Sequence, residues 1–189
     1  MVSRNKLLAL ILLLLWGVLQ QCTVTNDDII QKQLFDLNWK FSLGNHSAAN
    51  ENGFNDINWR SIDLPHDWST DSALTDSLKK AEIAGKNTET GWYRKNFEIP
   101  ENWIGKKIVI EFEGINGQHE IFINGIPAKN SENGKQHTKV NLTPHLNPKG
   151  NNLIAIRINV TKESDLTWKA ETGIFRHVWL VIKDNGRNP

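Results

Sequence analysis

The side chains that could do chemistry in this sequence are few and scattered. A single cysteine, Cys22, excludes an internal disulfide and a metal site made of cysteines alone. The six histidines form no H-E-x-x-H motif, and the sequence has neither a glycine-rich phosphate loop nor a G-x-S-x-G motif. We therefore predict no metal site, no cofactor and no catalytic serine.

Two carboxylates, Glu111 and Glu113, lie close enough in sequence to resemble a catalytic pair. They alternate with the apolar residues Ile110 and Phe112. On a strand this alternation places both carboxylates on one face and the apolar side chains on the other. We interpret the two glutamates as the solvated face of a strand and not as a catalytic pair.

The composition is typical of one soluble domain. The chain has 189 residues, of which 39% are apolar, and a net charge of +1 from 22 basic and 21 acidic side chains. So balanced a charge gives no electrostatic basis for binding nucleic acid. Eight tryptophans favour a β-rich core and could offer flat surfaces to sugar rings.

The start of the chain has the pattern of an export signal. Arg4 and Lys6 precede an apolar stretch at residues 7–18, which is too short to span a bilayer comfortably. We predict a signal peptide at residues 1–22, followed by a polar tether at residues 23–33. The location implied is the periplasm, the outer membrane or the cell surface of a bacterium.

The lone cysteine follows this apolar stretch closely. Leu19 and Cys22 fit a bacterial lipoprotein signal, in which Cys22 becomes the lipidated first residue, although Gln21 stands where a small residue is expected. A lipid anchor at Cys22 would be the only contact of the protein with a membrane. A plain secretory signal or an uncleaved anchor helix is the alternative.

Past the tether, the sequence predicts strands and little helix. Alternation with a period of two is clearest at residues 106–115 and 153–161, and Asn124-Gly125 is a strong hairpin signal. The one plausible helix, at residues 70–86, has a weak pattern. The eight or so predicted strands cover residues 35–41, 92–99, 106–115, 120–123, 126–129, 137–142, 153–161 and 177–182, with a short extended piece at 59–64.

The arrangement of these strands predicts the fold class. Because strands do not alternate with helices, a parallel α/β sheet is disfavoured. We predict an all-β fold, an antiparallel β-sandwich of jelly-roll, galactose-binding-like type, over residues 34–184. A short tail at residues 185–189 completes the chain.

Six short segments, taken in order, carry a family resemblance. The segments are LPHDW (64–68), GWYRKNF (91–97), FEGI (112–115), ING (123–125), GNNLIAIR (150–157) and TGIFRHVWL (172–180). In this order they resemble the N-terminal sugar-binding domain of glycoside hydrolase family 2, the family of β-galactosidases and β-glucuronidases. The resemblance extends over residues 35–184.

Most motif residues also have an ordinary structural role. Pro65 would close a strand, and Gly91 and Gly173 would permit tight entries into strands. Arg94 and Arg176 would tie strands together through carboxylate or carbonyl contacts. On this interpretation the motifs identify the fold without forming a pocket.

The resemblance implies a retaining glycosidase whose two catalytic glutamates lie about 5 to 5.5 Å apart on a (β/α)₈ barrel. In the family, that barrel follows the sandwich and an immunoglobulin-like domain, and a barrel takes about 250 residues. Since the sequence stops at Pro189, the resemblance implies that the catalytic pair and its barrel are missing here. Whether this chain is itself an enzyme therefore stays open.

The resemblance also implies candidates for contact with the sugar. In some β-galactosidases of the family, an asparagine before the G-x-Y strand and an aspartate before the G-I-F-R segment reach the sugar pocket. Asp165 falls at the aspartate position, whereas the asparagine position carries Thr88, with Asn87 one place away. Asp165, Asn87 and the nearby Trp168 are the candidates, and Glu171, where glycine is common, leaves the substrate class open.

Three functions are compatible with these patterns. The first is the N-terminal domain of an exported, β-galactosidase-like glycosidase, whose ligand is a β-galactoside or related glycan and whose partner is the missing barrel. The second is a stand-alone surface lipoprotein that binds carbohydrate. The third is a remnant without a function of its own. Hydrolysis and saturable glycan binding by the purified chain distinguish these alternatives.

Overall fold

The computed structural model of the protein describes residues 29–72, 74, 88–131, 136–161 and 171–184. Within them it has twelve strands and two short 3₁₀ turns, at Glu101–Trp103 and Thr143–His145. The strands are β1 Ile29–Leu34, β2 Trp39–Leu43, β3 Arg60–Ile62, β4 His66–Asp67, β5 Thr88–Phe97, β6 Lys107–Asn116, β7 Gln118–Ile123, β8 Ile126–Ser131, β9 Gln136–Asn141, β10 Asn152–Thr161, β11 Gly173–Ile174 and β12 Val178–Lys183.

The strands form two sheets, and every strand pair in the described residues is antiparallel. In the first sheet, β6 has β9 on one edge and both β12 and β11 on the other, while β1 pairs with β12 and β4 with β11. The second sheet has the order β3-β2-β5-β10-β7-β8. The predicted antiparallel β-sandwich is confirmed.

The core lies between the two sheets and follows the alternation in the sequence. Ile154, Ile156 and Ile158 of β10 are fully buried, as are Ile110 and Phe112 of β6, and all belong to one apolar cluster. Burying a side chain of this size stabilises the fold by roughly 1.5–3 kcal/mol. The neighbours of these residues point away from the core. Among them, Glu111 of β6 is polar, whereas Ala155 of β10 is buried in a second apolar cluster together with Ala49 and Trp92.

The N-terminal part of the fold differs from the sequence-based expectation. The predicted tether at residues 23–33 includes most of β1, which pairs with β12 although all six of its side chains are exposed. Backbone pairing without burial leaves no apolar pattern, so the strand was not predictable from periodicity. The next strand begins at Trp39 instead of Phe35, because Asn38 has a φ of 59° and breaks the extended backbone.

The hairpin signal is confirmed. Asn124 and Gly125 have φ values of 51° and 81°, as a two-residue type I′ turn between β7 and β8 requires. The two-residue strands β4 and β11 were not predicted, since they are too short for a periodic pattern.

Some sequence-based predictions fall outside the structure. Residues 1–22, the tail at 185–189 and most of the predicted helix at 70–86 lie outside the described residues. No helix in the part of the chain that the structure describes combines the length and the apolar character needed to cross a membrane.

Candidate functional site

The candidate site is the end of the sandwich from which the predicted sugar-contacting segments continue. The predicted residues Cys22, Asn87, Asp165 and Trp168 all lie outside the described residues. The structure does describe the strand ends beside two of these segments. Thr88, the first residue of β5, pairs with Thr161, the last residue of β10. The described ends that adjoin residues 75–87 and 162–170 are therefore neighbours.

Asp67 links two further residues beside these segments, Ser69 and Thr172. Its Oδ1 accepts hydrogen bonds from the backbone N–H of Ser69 and of Thr172, both at 3.0 Å. It also accepts from the hydroxyls of the same residues, both at 2.7 Å. Ser69 precedes the first segment and Thr172 follows the second. One carboxylate thus holds together two parts of the chain more than 100 residues apart, since 105 positions separate Asp67 from Thr172.

The hydrogen bonds to Asp67 also control its charge. Partial burial raises the pKa of the Asp67 carboxyl, but the hydrogen bonds from Ser69 and Thr172 together outweigh burial and lower the pKa below its usual value. Asp67 is therefore ionised at neutral pH. Hydrogen bonds to an ionised acceptor are stronger than those between neutral groups.

A chain of hydrogen bonds runs from the surface to the core beside Asp67. The Arg60 guanidinium donates to Asp71 Oδ2 at 2.5 Å, and His66 Nε2 lies 3.2 Å from the same oxygen. On the other side of the ring, His66 Nδ1 lies 2.9 Å from the Tyr93 hydroxyl. Because a carboxylate only accepts, Nε2 of the neutral ring carries the proton and Nδ1 accepts from Tyr93.

Burial sets the protonation state of this chain. Burial lowers the pKa of His66, and the hydrogen bond to Asp71 offsets that effect only in part. Burial also raises the pKa of the Tyr93 hydroxyl well above its usual range. Both groups are consequently neutral at pH 7, as the donor and acceptor assignment requires. We call Arg60, His66, Asp67, Asp71 and Thr172 the Asp67 cluster.

Two glycines make room for an aromatic side chain beneath the Asp67 cluster. Trp68 is fully buried. A Cβ on Gly91 would lie 2.6 Å from the Trp68 ring, and one on Gly173 would lie 2.8 Å from it and collide with the Tyr93 hydroxyl. Gly173 also has a φ of 88°, which residues other than glycine rarely adopt. The glycines of the G-W-Y and T-G-I motifs are thus required by packing.

Arg94 makes the expected contacts with a carboxylate and with carbonyls, but it binds a loop and not a neighbouring strand, and the expected role of Arg176 is wrong. Arg94 is 2% exposed and binds the Asp56 carboxylate at 2.7 Å and the Glu51 carbonyl at 3.1 Å. It ties the loop at residues 44–58 to the outer face of the second sheet. Arg176, in contrast, is exposed and lies 5.7 Å from the centre of the Phe175 ring. Its side chain is exposed and ties no strands together within the described residues.

A second polar network lies at the opposite end of β10. Asn152 is fully buried, and its side chain joins Asn124 Nδ2 at 2.9 Å and the Asn147 backbone N–H at 2.7 Å. Asn124 also donates to the His145 carbonyl at 2.8 Å and accepts from the Leu153 N–H at 2.8 Å. We call Asn124, Asn147 and Asn152 the amide network, which fixes the hairpin to the start of β10.

The paired carboxylates lie on the outer face of the first sheet, as predicted, but they are less solvated than expected, since the Glu111 side chain is only 12% exposed. Glu111 Oε1 lies 2.6 Å from Lys139 Nζ, and its Oε2 lies 3.9 Å from Lys32 Nζ. Glu113 accepts a hydrogen bond of 2.8 Å from the Trp179 indole. Both carboxylates therefore serve contacts across the outer face of the first sheet.

The histidines do not converge on one point. His119 is buried, with Nδ1 3.0 Å from the Gly117 carbonyl and Nε2 3.2 Å from the Thr138 hydroxyl. His177 lies 2.6 Å from Asp36, which is 3% exposed. Within the described residues, no three His, Cys, Asp or Glu side chains are grouped so that they could hold a metal ion.

This end of the sandwich can position the parts of the chain that continue from it. The Asp67 cluster and the Thr88–Thr161 pair fix four described chain ends around residues 75–87 and 162–170. Sequence reasoning identified the L-P-H-D-W and T-G-I-F-R motifs but missed that Asp67 and Thr172 bind each other. It also missed Arg60 and Asp71, because neither belongs to a motif. The fold defines the class of the protein as an antiparallel β-sandwich domain.

Comparisons with known proteins agree with this class. The model of the glycosyl hydrolases family 2 sugar binding domain matches residues 33–184. A β-galactosidase of Bacteroides ovatus is 34% identical over 147 residues, which are 77% of this chain and 17% of that protein. A β-glucuronidase of Formosa agariphila is 32% identical over 165 residues, covering 79% of this chain and 17% of its own length.

A solved structure agrees as well. A family 2 glycosyl hydrolase of Bacteroides cellulosilyticus superposes with a TM-score of 0.69 at 29% identity, covering 82% of this chain and 21% of that one. The chain belongs to glycosyl hydrolase family 2, through the sugar-binding domain of that family. It spans about one sixth of the length of the curated relatives described above, which share 17% of their length with it.

Proposed function

We propose that this chain serves as the sugar-binding domain of an exported family 2 glycosidase of the β-galactosidase or β-glucuronidase kind. The observation that supports the proposal most is the anchoring of four chain ends at one end of the sandwich. Thr88 pairs with Thr161, and Asp67 joins Ser69 to Thr172. Such a domain is suited to holding side chains beside a sugar that another domain binds and cleaves.

In this proposal the domain positions the substrate and does not cleave it. Asp165, Asn87 and Trp168 are the proposed contacts with a β-galactoside or related glycan. Bond cleavage would be the work of a glutamate pair on a barrel, so we expect no hydrolysis by residues 1–189 alone. Misplacing a positioning group by about 1 Å can lower the rate on the order of 100-fold.

The first experiment sequences the gene beyond the Pro189 codon and assays the products on nitrophenyl β-galactoside and β-glucuronide. If a barrel-coding frame follows, the longer product should hydrolyse one of these substrates, and residues 1–189 should not. In the longer product, Asp67→Asn should raise KM, whereas Asn152→Ala at the opposite end of β10 should leave KM unchanged. Hydrolysis by purified residues 1–189 would contradict the proposal.

The alternative proposal, a stand-alone carbohydrate-binding lipoprotein, has its own outcome in this design. It is favoured if unrelated sequence follows the Pro189 codon and the purified chain binds an oligosaccharide saturably in calorimetry. Flat titrations against galactosides, glucuronides and plant polysaccharides would count against it.

We further propose export to the periplasm or cell surface with a lipid anchor on Cys22. The support is the sequence pattern of Arg4, Lys6 and the apolar stretch at residues 7–18 before this cysteine. Cys22→Ser should abolish incorporation of labelled palmitate and release the protein from the membrane fraction. Gln21→Ala, which supplies the expected small residue, should still incorporate palmitate and remain in the membrane fraction. Unchanged labelling of Cys22→Ser would exclude the anchor.

A further inference from the structure

The sequence repeats one chemically labile dipeptide. Asn-Gly pairs begin at Asn52, Asn116, Asn124, Asn133 and Asn185. Such a pair is reactive because glycine has no side chain to shield its backbone nitrogen, which can attack the amide carbon of the preceding asparagine. The first three pairs lie within the described residues, in three different environments.

The reaction needs only water. The glycine nitrogen forms a bond to the asparagine Cγ, and Nδ2 leaves as ammonia. The cyclic succinimide that results then adds a water molecule and opens to aspartate or to isoaspartate, which has an extra methylene in its backbone. The asparagine side chain must be free to turn towards the nitrogen that follows it.

Asn124 has no such freedom. Its Nδ2 donates to the His145 carbonyl at 2.8 Å and to Asn152 Oδ1 at 2.9 Å. Its Oδ1 accepts from the Leu153 N–H at 2.8 Å. Because all three hydrogen bonds hold the amide away from Gly125, they must break before the ring can close.

Asn52 lies at the other extreme. Asn52 and Gly53 are both exposed in the loop at residues 44–58. Nothing lies within 4 Å of the position that a Cβ on Gly53 would occupy. The Asn52 side chain has no hydrogen bond within the described residues, and its exposure leaves the amide room to turn towards Gly53.

Asn116 is intermediate between the two. Within the described residues its Nδ2 makes one hydrogen bond, to the Glu171 carbonyl. Gly117 is enclosed by Ile158 and the Asn159 carbonyl, both 2.7 Å from a Cβ built on it. The single bond and the close packing both restrict the movement that ring closure requires.

We propose that Asn52 is a site of spontaneous modification and that the fold protects Asn124, although the two carry the same dipeptide. The order of reaction in the folded protein is Asn52, then Asn116, then Asn124. The loss of three hydrogen bonds slows Asn124 on the order of 100-fold relative to Asn52. This inference is independent of the proposed function.

Modification at Asn52 has a structural consequence. Asn52 lies in a turn closed by the Phe54 N–H and the Glu51 carbonyl at 3.2 Å. Arg94 holds the same carbonyl at 3.1 Å and the Phe54 carbonyl at 3.5 Å. An extra backbone methylene at position 52 would change the spacing of both carbonyls and loosen the loop that Arg94 anchors.

The experiment ages the folded chain of residues 1–189 at mildly alkaline pH and measures isoaspartate at each pair by peptide mass mapping. Labelling by isoaspartyl methyltransferase provides a second readout. The expected order is Asn52 first and Asn124 last, with the large ratio stated above. In urea the rates at Asn52 and Asn124 should converge, since only the fold separates them.

Gly53→Ala is the matched control. The open space around Gly53 accommodates the methyl group, so this variant should keep the stability of the parent and lose most of the reaction at Asn52. Asn152→Ala, which removes one partner of Asn124, should accelerate the reaction at Asn124. Equal rates at Asn52 and Asn124 in the folded protein, or a ratio that persists in urea, would overturn the proposal.

Discussion

Two polar networks of different chemistry lie towards opposite ends of the sandwich. The amide network at Asn152 consists of neutral amides and carbonyls. The Asp67 cluster contains two carboxylates, a guanidinium and a histidine. Sensitivity to pH is thus built into the end that anchors residues 75–87 and 162–170, and the other end is independent of it.

The largest expected effect comes from replacing a glycine at each end of the sandwich and comparing the losses of stability. Gly173→Ala should lower the free energy of unfolding by about 3–5 kcal/mol, because a methyl group would strike Trp68 and force a strained φ. Gly125→Ala, in the hairpin at the amide end, has a similar φ of 81° but no atom closer than 3.7 Å. It should cost only about 1–2 kcal/mol. Urea titrations measure both losses, and equal losses would remove the contrast.

The next effect tests the amide network alone. Asn152→Ala should lower the free energy of unfolding by about 2–4 kcal/mol, because it removes the hydrogen bonds that the buried Asn152 side chain makes with Asn124, Asn147 and Gly150. Amides do not titrate, so the loss should be the same at pH 7 and at about pH 5. Urea titrations at both values would expose a dependence on pH, which would contradict the neutral character of this end.

Asp67→Asn tests the charge in the other network. The amide oxygen can still accept hydrogen bonds but carries no charge, so the free energy of unfolding should fall by about 1–2 kcal/mol at pH 7. Because the pKa of Asp67 is lowered from 3.8, the stabilisation is present above that pH and is lost as the pH falls below it. The difference between parent and variant should therefore shrink in acid. A constant difference would assign the loss to packing.

The smallest effect concerns His66. Burial lowers its pKa from 6.5, so the unfolded chain binds a proton more readily, and stability should fall as the pH drops below 6.5. His66→Gln should make this decline shallower. Part of the decline should persist, because burial also lowers the pKa of His119. Asn152→Ala should leave the dependence of stability on pH unchanged. Thermal unfolding of the parent and both variants between about pH 7 and pH 5 measures these dependences.

The sequence predicts those parts of the fold that depend on local patterns. Residues 106–115 and 153–161 alternate over a full strand, and Asn124-Gly125 has the φ preference of its turn. β1 escaped prediction because its side chains remain exposed and only its backbone pairs. β4 and β11 escaped because two residues carry no period.

The candidate site was predicted only in its motifs. His66, Asp67, Trp68 and Gly173 were recognised as motif residues, but a sequence does not state which distant residue a carboxylate will bind. The pairing of Asp67 with Thr172 spans 105 positions, and the role of Asp71 depends on where the chain folds back. Long-range contacts between polar side chains leave no periodic signal, since they depend on the tertiary fold.

The pairing of β1 with β12 determines when this domain can finish folding during its synthesis. β1 is made first and β12 last among the described strands, yet each of Leu34, Lys32 and Gln33 has its partner between Trp179 and Val181. The edge of the first sheet therefore cannot close until nearly the whole domain has left the ribosome. Until then β1 has no partner strand, and an open strand edge in a nascent chain is prone to aggregate.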